Sequence, residues 1–402
     1  MDPQRSFAVD VVRRLRKAGH EALWAGGCVR DALLGKTPKD YDVATDAQPD
    51  RVRALFGKRQ TVPVGAAFGV MTVLGPRGVS PIEVATFRTD GSYSDGRRPD
   101  AVRFSNAEED ASRRDFTING LFYDPLDNRV IDYVGGQADL ELRIVRAIGN
   151  AEERIAEDRL RMLRAVRFAA TLGFALDEAT LAAVRKSADQ ISVVSAERIG
   201  AELKRMLTNP RAADALRLLA TTELLPEVLP EADPSAGSER LARIAQRASP
   251  DETSASLGLA AVLLGKASPG AGTAAARRLK WTAKEAEATG WLLENTDRLA
   301  PACAAAWSAL QPLLAGPKGP DLVRLYAATD RALVDVIEHC QERLAWPADR
   351  LDPVPLVVGA DLIAAGLKPG PRFSEYLREA RAAQLDGVAA TKQAALALLG
   401  LD

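Results

Sequence analysis

Three groups of residues in this 402-residue chain have types and spacing that could do chemistry. Between Leu23 and Ala47 the string LWAGGCVRDALLGKTPKDYDVATDA joins a Gly-Gly turn, a helix start and two closely spaced aspartates. Glu21 to Ala25 reads as a short strand, Gly26 and Gly27 permit a tight turn, and Val29 to Leu34 reads as a helix whose free N–H groups could face a phosphate. Asp40 and Asp42 follow on an expected second strand, DYDVAT. Side chains two apart on a strand share a face, so both carboxylates can hold divalent cations over whatever the glycine turn binds. Two metals so placed suit phosphoryl transfer. An EF-hand loop does not fit: counted from Asp40, it needs Gly and Glu where this chain has Thr45 and Arg51.

The second group is RRDFTINGLFYDP, Arg113 to Pro125, and the third is EDRLRMLRAVRFAATLGF, Glu157 to Phe174. On one continuous helix Asp158 and Arg161 would share a face, with Ile155, Met162, Leu163 and Val166 as an apolar stripe on another. A carboxylate accepts and a guanidinium donates, so the pair can read an exocyclic amine beside a ring-nitrogen acceptor, the pattern of cytosine and adenine. Uracil and guanine present the reverse and would leave both groups mismatched. On spacing alone, the simpler alternative is an exposed helical ion pair worth ~0.3–0.5 kcal/mol.

The elements that must position these groups divide the chain. Residues 1 to about 135 read as α/β, with β-rich runs at Gln60 to Val64, Phe68 to Leu74 and Ile82 to Arg88. From Gln137 onward the pattern turns helical, rich in Ala and Leu, with linkers expected at Pro230 to Ser238, Ser268 to Gly272 and Gly316 to Pro320, and Pro347 to Pro355 opening a last segment. No internal repeat is evident. A 47% hydrophobic content is enough for several cores. The net charge of −1 gives no whole-molecule hint of nucleic acid, which leaves local basic clusters around Arg97 to Arg103, Arg113 to Arg114, Arg159 to Arg167 and Arg277 to Lys280. Three scattered cysteines argue against a disulfide framework and for a reducing, cytoplasmic setting. No apolar run approaches the ~20 residues of a membrane span.

The string LWAGGCVRDALLGKTPKDYDVAT resembles the signature motif of the class II tRNA nucleotidyltransferases and their bacterial poly(A) polymerase relatives. RRDFTINGLFYDP is similar to that family's RRDFTINA block, departing at Gly120 where Ala is usual, and the third group resembles its nucleotide-selecting helix. GADLIAAGLKPGPRFSEYL, Gly359 to Leu377, resembles a C-terminal motif of many members. The resemblance implies an α/β catalytic head of the polymerase beta nucleotidyltransferase type followed by all-α neck, body and tail domains. The corresponding bounds are 1–136, 137–215, 216–318 and a tRNA-binding 319–402.

It also implies roles. Asp40 and Asp42 would be catalytic and hold Mg²⁺, with Glu83 as a third metal carboxylate; an outward Glu on a strand is otherwise ordinary. Gly26, Gly27, Arg30 and Arg164 would bind nucleotide, as would Arg114 at the triphosphate, Asp115 at the ribose hydroxyl, Asn119, and Asp158 with Arg161 at the base. The implied reaction is template-independent addition of CCA to tRNA lacking its 3′ end, from CTP and ATP, without a membrane or an obligate protein partner. The alternatives are a bacterial poly(A) polymerase or an enzyme adding only part of CCA. Poly(A) enzymes resemble one another in a Gly-Arg-Arg or Gly-Arg-Lys element, where this chain has Ala66 and Ala67 after Gly65. The stretch Thr89 to Asp100 corresponds to a loop that enzymes adding only CC typically lack. His20 and His339 form no His-Asp sequence pair, so the phosphohydrolase domain of some relatives is not expected.

Overall fold

The computed structural model describes residues 2–64, 69–90, 102–247 and 252–401. Ala66, Ala67 and nearly all of the stretch from Thr89 to Asp100 lie outside the described residues. The chain divides into two compact units, Met1–Met206 with Leu218–Pro230, and Leu207–Arg217 with Glu231–Asp402.

The first unit opens with α1 (Pro3–Lys17), which Asp2 caps by accepting from the Gln4 and Arg5 N–H groups, and which buries Ala8, Val11, Val12 and Leu15. There follow β1 (Ala22–Ala25), α2 (Gly27–Leu33), β2 (Asp42–Thr45), α3 (Pro49–Phe56), β3 (Thr61–Val62), β4 (Val70–Val73), β5 (Ile82–Thr86), β6 (Arg88–Asp90), β7 (Val102–Phe104), α4 (Ala107–Ser112), β8 (Phe122–Asp124) and β9 (Arg129–Ile131). Seven of these strands form one mixed sheet in the order β3-β4-β5-β2-β1-β8-β9. Its central strands are buried in succession: all four residues of β1 and Val43 to Thr45 of β2 are inside. Leu23, Ala25 and Ala44 of these strands pack with Phe87 and Phe122 and with Ala107 and Ala111 of α4. The parallel pairing of β2 with β5 places Asp42 opposite Glu83.

Helices then dominate: α5 (Gly136–Leu142), α6 (Ala151–Glu157), α7 (Leu160–Leu172), α8 (Glu178–Lys186) and α9 (Ala196–Leu207), with a small parallel pair β10 (Ile144–Val145) and β11 (Ala175–Leu176). The helix expected to run unbroken through Asp158 is two helices. Asp158 has extended backbone (φ −145°, ψ 106°), and its carboxylate accepts from the Leu160 N–H, so it starts α7 instead of continuing α6. The apolar stripe is nonetheless fully used, since Ile155, Met162, Leu163 and Val166 are all buried.

Among its described residues the second unit is helical, from Pro234–Arg247 to Lys392–Leu398. The stretches read as linkers open helices instead. Pro234, Pro269 and Pro320 sit in first turns, where a missing N–H costs nothing, and Ser268 caps Pro269–Arg278. The C-terminal motif forms a helix pair, Gly359–Ala364 and Pro371–Leu385, around Leu362 and Ala380. No helix of the described residues is long and apolar enough to cross a membrane.

Gly120, the departure from the usual Ala, has a structural reason. A Cβ there would lie 2.6 Å from Val134 Cγ2 and 3.2 Å from Ile148 Cδ1. Gly120→Ala should therefore lose about 1–3 kcal/mol of unfolding free energy in a urea titration, as overpacking does, and adding Val134→Ala should recover most of it.

Candidate functional site

The turn between β1 and α2 is built for close approach. Gly26 has φ 72°, and a Cβ on it would stand 2.9 Å from Arg114 Nη1. A side chain is thus excluded both by backbone preference and by the guanidinium. The Gly26 N–H donates to the Leu121 carbonyl, which ties the turn to the start of β8.

Over this turn opens a cleft of about 510 Å³. Of the expected residues it brings together Gly26, Gly27, Arg30, Asp42, Arg114, Asp115, Asn119, Asp158, Arg161 and Arg164; Asp40 and Glu83 do not line it. It adds Leu160, Phe168 and Arg198, which sequence reasoning did not assign to the site, and Arg113, which it placed only in a local basic cluster. Six guanidiniums face three carboxylates in its walls, a surplus suited to a polyanion such as a triphosphate.

Each guanidinium is held from behind. Asp110, 2% exposed, takes Arg113 on one oxygen (2.9 and 2.7 Å) and Arg114 on the other (3.2 and 3.0 Å). Arg114 also donates to the Asn119 carbonyl at 3.3 Å. Arg30 donates to Asn119 Oδ1 at 2.7 Å and to Asp31 at 2.8 and 2.7 Å. Buried Asp115 accepts from the Asn119 side chain at 3.0 Å, from the Phe116 N–H at 2.9 Å and from Arg164 at 2.7 Å. Phe168 lies between three arginines, its ring centroid 5.1 Å from Arg30, 5.3 Å from Arg164 and 3.9 Å from Arg167. Arg167 in turn pairs with buried Glu202. Such pairing fixes the planar forks while leaving their other N–H groups for a ligand.

The pair expected to read a base is placed differently from a helical i, i+3 couple. Asp158 and Arg161 both line the cleft, but each is paired elsewhere. Asp158 accepts from Arg198 of α9 on both oxygens, at 3.2 and 2.7 Å. Arg161 pairs with Glu157 and donates to the carbonyls of Arg154 (2.7 Å) and Arg113 (3.3 Å). The simple exposed ion pair is therefore excluded, because Arg161 is 9% exposed and the two side chains are locked by separate partners.

Of the three carboxylates expected to hold a metal, Asp42 is the one that reaches the cleft. Asp42 begins β2, whereas Asp40 precedes the strand, so the two are not strand neighbours as expected. Although part of Asp42 remains open at the cleft, burial pushes its carboxyl up to about 6; the charge of Glu83 adds to this and Arg114 opposes it. Among the described residues, Asp40, Asp42 and Glu83 have no ion-pair partner, and no group of three or more His, Cys, Asp or Glu is gathered closely enough to hold a metal by itself. A divalent cation nevertheless fits: the donors are hard carboxylate oxygens, Asp42 is destabilised as an anion, and Mg²⁺ is commonly held by one or two carboxylates plus substrate phosphates. Cys28, beside the turn, has its thiol pushed up by burial to about 11 and is inert as a nucleophile.

Asp110 and Asp115 also set a pH dependence. Burial alone would raise both carboxyls, but Arg114 and Arg113 outweigh it at Asp110, and Arg164 with Asn119 outweighs it at Asp115, so both lie below the usual carboxylate range. A carboxyl depressed on folding contributes stability above its unfolded pKa of about 3.9 and loses it as pH falls through the folded value. Unfolding free energy should decline below about pH 4. Asp110→Ala should cost about 3–5 kcal/mol near neutrality, weaken CTP binding, and flatten the acid decline, all readable by urea titration at several pH values.

Comparison with known proteins agrees with this geometry. Residues 22–146 match the family described as the poly A polymerase head domain, and residues 173–235 match one described as "Probable RNA and SrmB- binding site of polymerase A". The CCA-adding enzyme of Geobacillus kaustophilus (strain HTA426) is 44% identical over 225 residues, 56% of this chain and 54% of that protein. That of Bacillus subtilis (strain 168) is 44% identical over 222 residues, 55% of each chain. These matches span about half the length of the curated relatives. The crystal structure of the Bacillus stearothermophilus CCA-adding enzyme in complex with CTP is similar over 98% of this chain and 95% of that chain, at 30% identity and a TM-score of 0.81. At 19% identity and a TM-score of 0.70, a Thermotoga maritima CCA-adding enzyme complexed with tRNA shares the fold. With the glycine turn, the strand-end carboxylates and the arginine-walled cleft, this likeness along nearly the whole length establishes that the chain belongs to the class II tRNA nucleotidyltransferase and poly(A) polymerase family.

Proposed function

We propose that the protein adds C, C and A in order to the 3′ end of tRNA lacking them, using CTP and ATP and releasing pyrophosphate. The observation that carries this reading is the cleft itself, where cations suited to a triphosphate meet Asp158 and Arg161, whose chemistry suits cytosine and adenine alike. Enzymes of this family generally use a divalent metal, and here we assign Mg²⁺, held by Asp40 and Asp42 with Glu83 beside them. When bound, the metal favours ionisation of the RNA 3′ hydroxyl and clamps the triphosphate.

The chain's own residues do the rest. Arg30, Arg114 and Arg164 orient the phosphates so that the 3′ oxygen attacks the α-phosphorus in line, forming one P–O bond as the bond to pyrophosphate breaks. Asp115 and Asn119 hold the ribose side of the nucleotide. Arg198 fixes the Asp158 carboxylate, and Glu157 fixes Arg161, so that acceptor and donor are set before a base arrives. We assign the head, neck, body and tail to 1–136, 137–215, 216–318 and 319–402, with the helical parts reading the tRNA by shape and phosphate contacts.

Asp40→Asn and Asp42→Asn should each cut turnover by several orders of magnitude while the protein stays folded by circular dichroism; near-normal rates in both would sink the carboxylate assignment. Asp158→Ala or Arg161→Ala should relax discrimination against UTP and GTP by about 1–3 kcal/mol. Arg198→Ala should do the same without itself touching the base, and Arg198→Lys should restore part of the selectivity, as measured by incorporation ratios. Sequencing the 3′ ends made from truncated tRNA with all four nucleotides tests the reading directly: products ending in CCA support it, long A tails establish a poly(A) polymerase, and products ending in CC establish partial addition.

A further inference from the structure

Phe168 is the aromatic residue of the cleft wall. It is buried on α7, where Arg161, Arg164 and Phe168 recur at helical spacing and share a face, and Phe116 packs edge-on against it with ring centroids 5.8 Å apart. Packing alone would make it an ordinary core side chain. Its neighbours do not fit that reading: Arg30 approaches from α2, and Arg164 and Arg167 from its own helix, with guanidinium carbons 5.1, 5.3 and 3.9 Å from the ring centroid.

Three guanidiniums so gathered repel one another. Arg167 is held below the usual guanidinium range, by burial first and with the charge of Arg164 adding to it, while Glu202 opposes both. Arg30 and Arg164 belong to different helices and are tied to different carboxylates, Asp31 and Asp115, yet both border this ring. An aliphatic side chain would fill the same space and offer the charges nothing. A benzene ring has a negative face, which attracts a cation within about 6 Å of its centroid, most strongly where water is excluded.

We propose that Phe168 is a positioning residue for the triphosphate, its ring gathering Arg30 and Arg164 from two helices into one clamp while Asp158 and Arg161 read the base. The inference rests on reading the cleft as a triphosphate site, and not on which nucleotides are added to RNA. Affinity for phosphate and choice of base are then separable: weakening the ring's negative face should lower the first and leave the second unchanged.

Graded fluorination tests this, because mono-, di- and trifluorinated phenylalanine nearly keep the ring's shape while withdrawing electron density from its face. Placed at position 168 of the full chain, they should weaken binding of inorganic triphosphate and of CTP stepwise in calorimetric titration, by about tenfold at the trifluorinated ring. Incorporation ratios of CTP to UTP should not move. Phe168→Leu should bind as weakly as the trifluorinated protein and Phe168→Tyr should stay near the wild type, which gives the same comparison if the fluorinated proteins fail to fold. Affinity that is flat across the series, Phe168→Leu binding triphosphate as tightly as Phe168→Tyr, or a base preference that shifts along with affinity overturns the proposal. Failure of the wild type to extend truncated tRNA would count against the activity proposed above, whereas a flat series counts against Phe168 alone.

Discussion

The site depends on buried carboxylates that hold its arginines in place. Asp110 and Asp115 are buried and matched to Arg113, Arg114 and Arg164 of the cleft, which would otherwise be long, mobile side chains, and buried Glu202 holds Arg167 against the ring of Phe168. A buried carboxylate is tolerated only when such partners satisfy it, so folding and ordering of the guanidiniums are one event. The result is a set of donors already aimed inward before any phosphate arrives, the condition under which electrostatic stabilisation requires little reorganisation.

Asp42 is placed on another logic. Asp42, at the start of a buried strand and in register with Glu83, gathers negative charge without a protein cation paired to it. The protein thus sets arginines neutralised from behind beside one carboxylate that has no ion-pair partner among the described residues and is left for an external cation. Gly26 holds the two together, since the turn it permits brings the start of α2 against Arg114 with no room for a side chain.

Much of this was legible in the chain. The glycine turn, the strand after it and the pairing of a carboxylate with the cleft follow from local spacing, and ten of the twelve residues named from spacing and family resemblance together line one cavity. What was not legible comes from long-range pairing. Nothing local marks Arg198 as the partner of Asp158, forty residues away, or Glu202 as the anchor of Arg167. The break at Asp158 was hidden because flanking apolar residues keep a helical period across it, although an Asp just ahead of a Leu-rich run is a capping signal. Proline-containing stretches read as linkers because Pro marks both loops and first turns, and only packing decides between them.

The central claim is that the arginine wall is set by the protein and not by the nucleotide. Nitrogen-15 NMR of the arginine side chains, recorded on the full chain with and without CTP, tests this most directly. The account predicts that the Arg114 and Arg164 Nε–H signals are already protected and rigid in the free protein, and that they change little in order when CTP binds. Signals that are averaged and exchange-broadened in the free protein and sharpen only with CTP would contradict it.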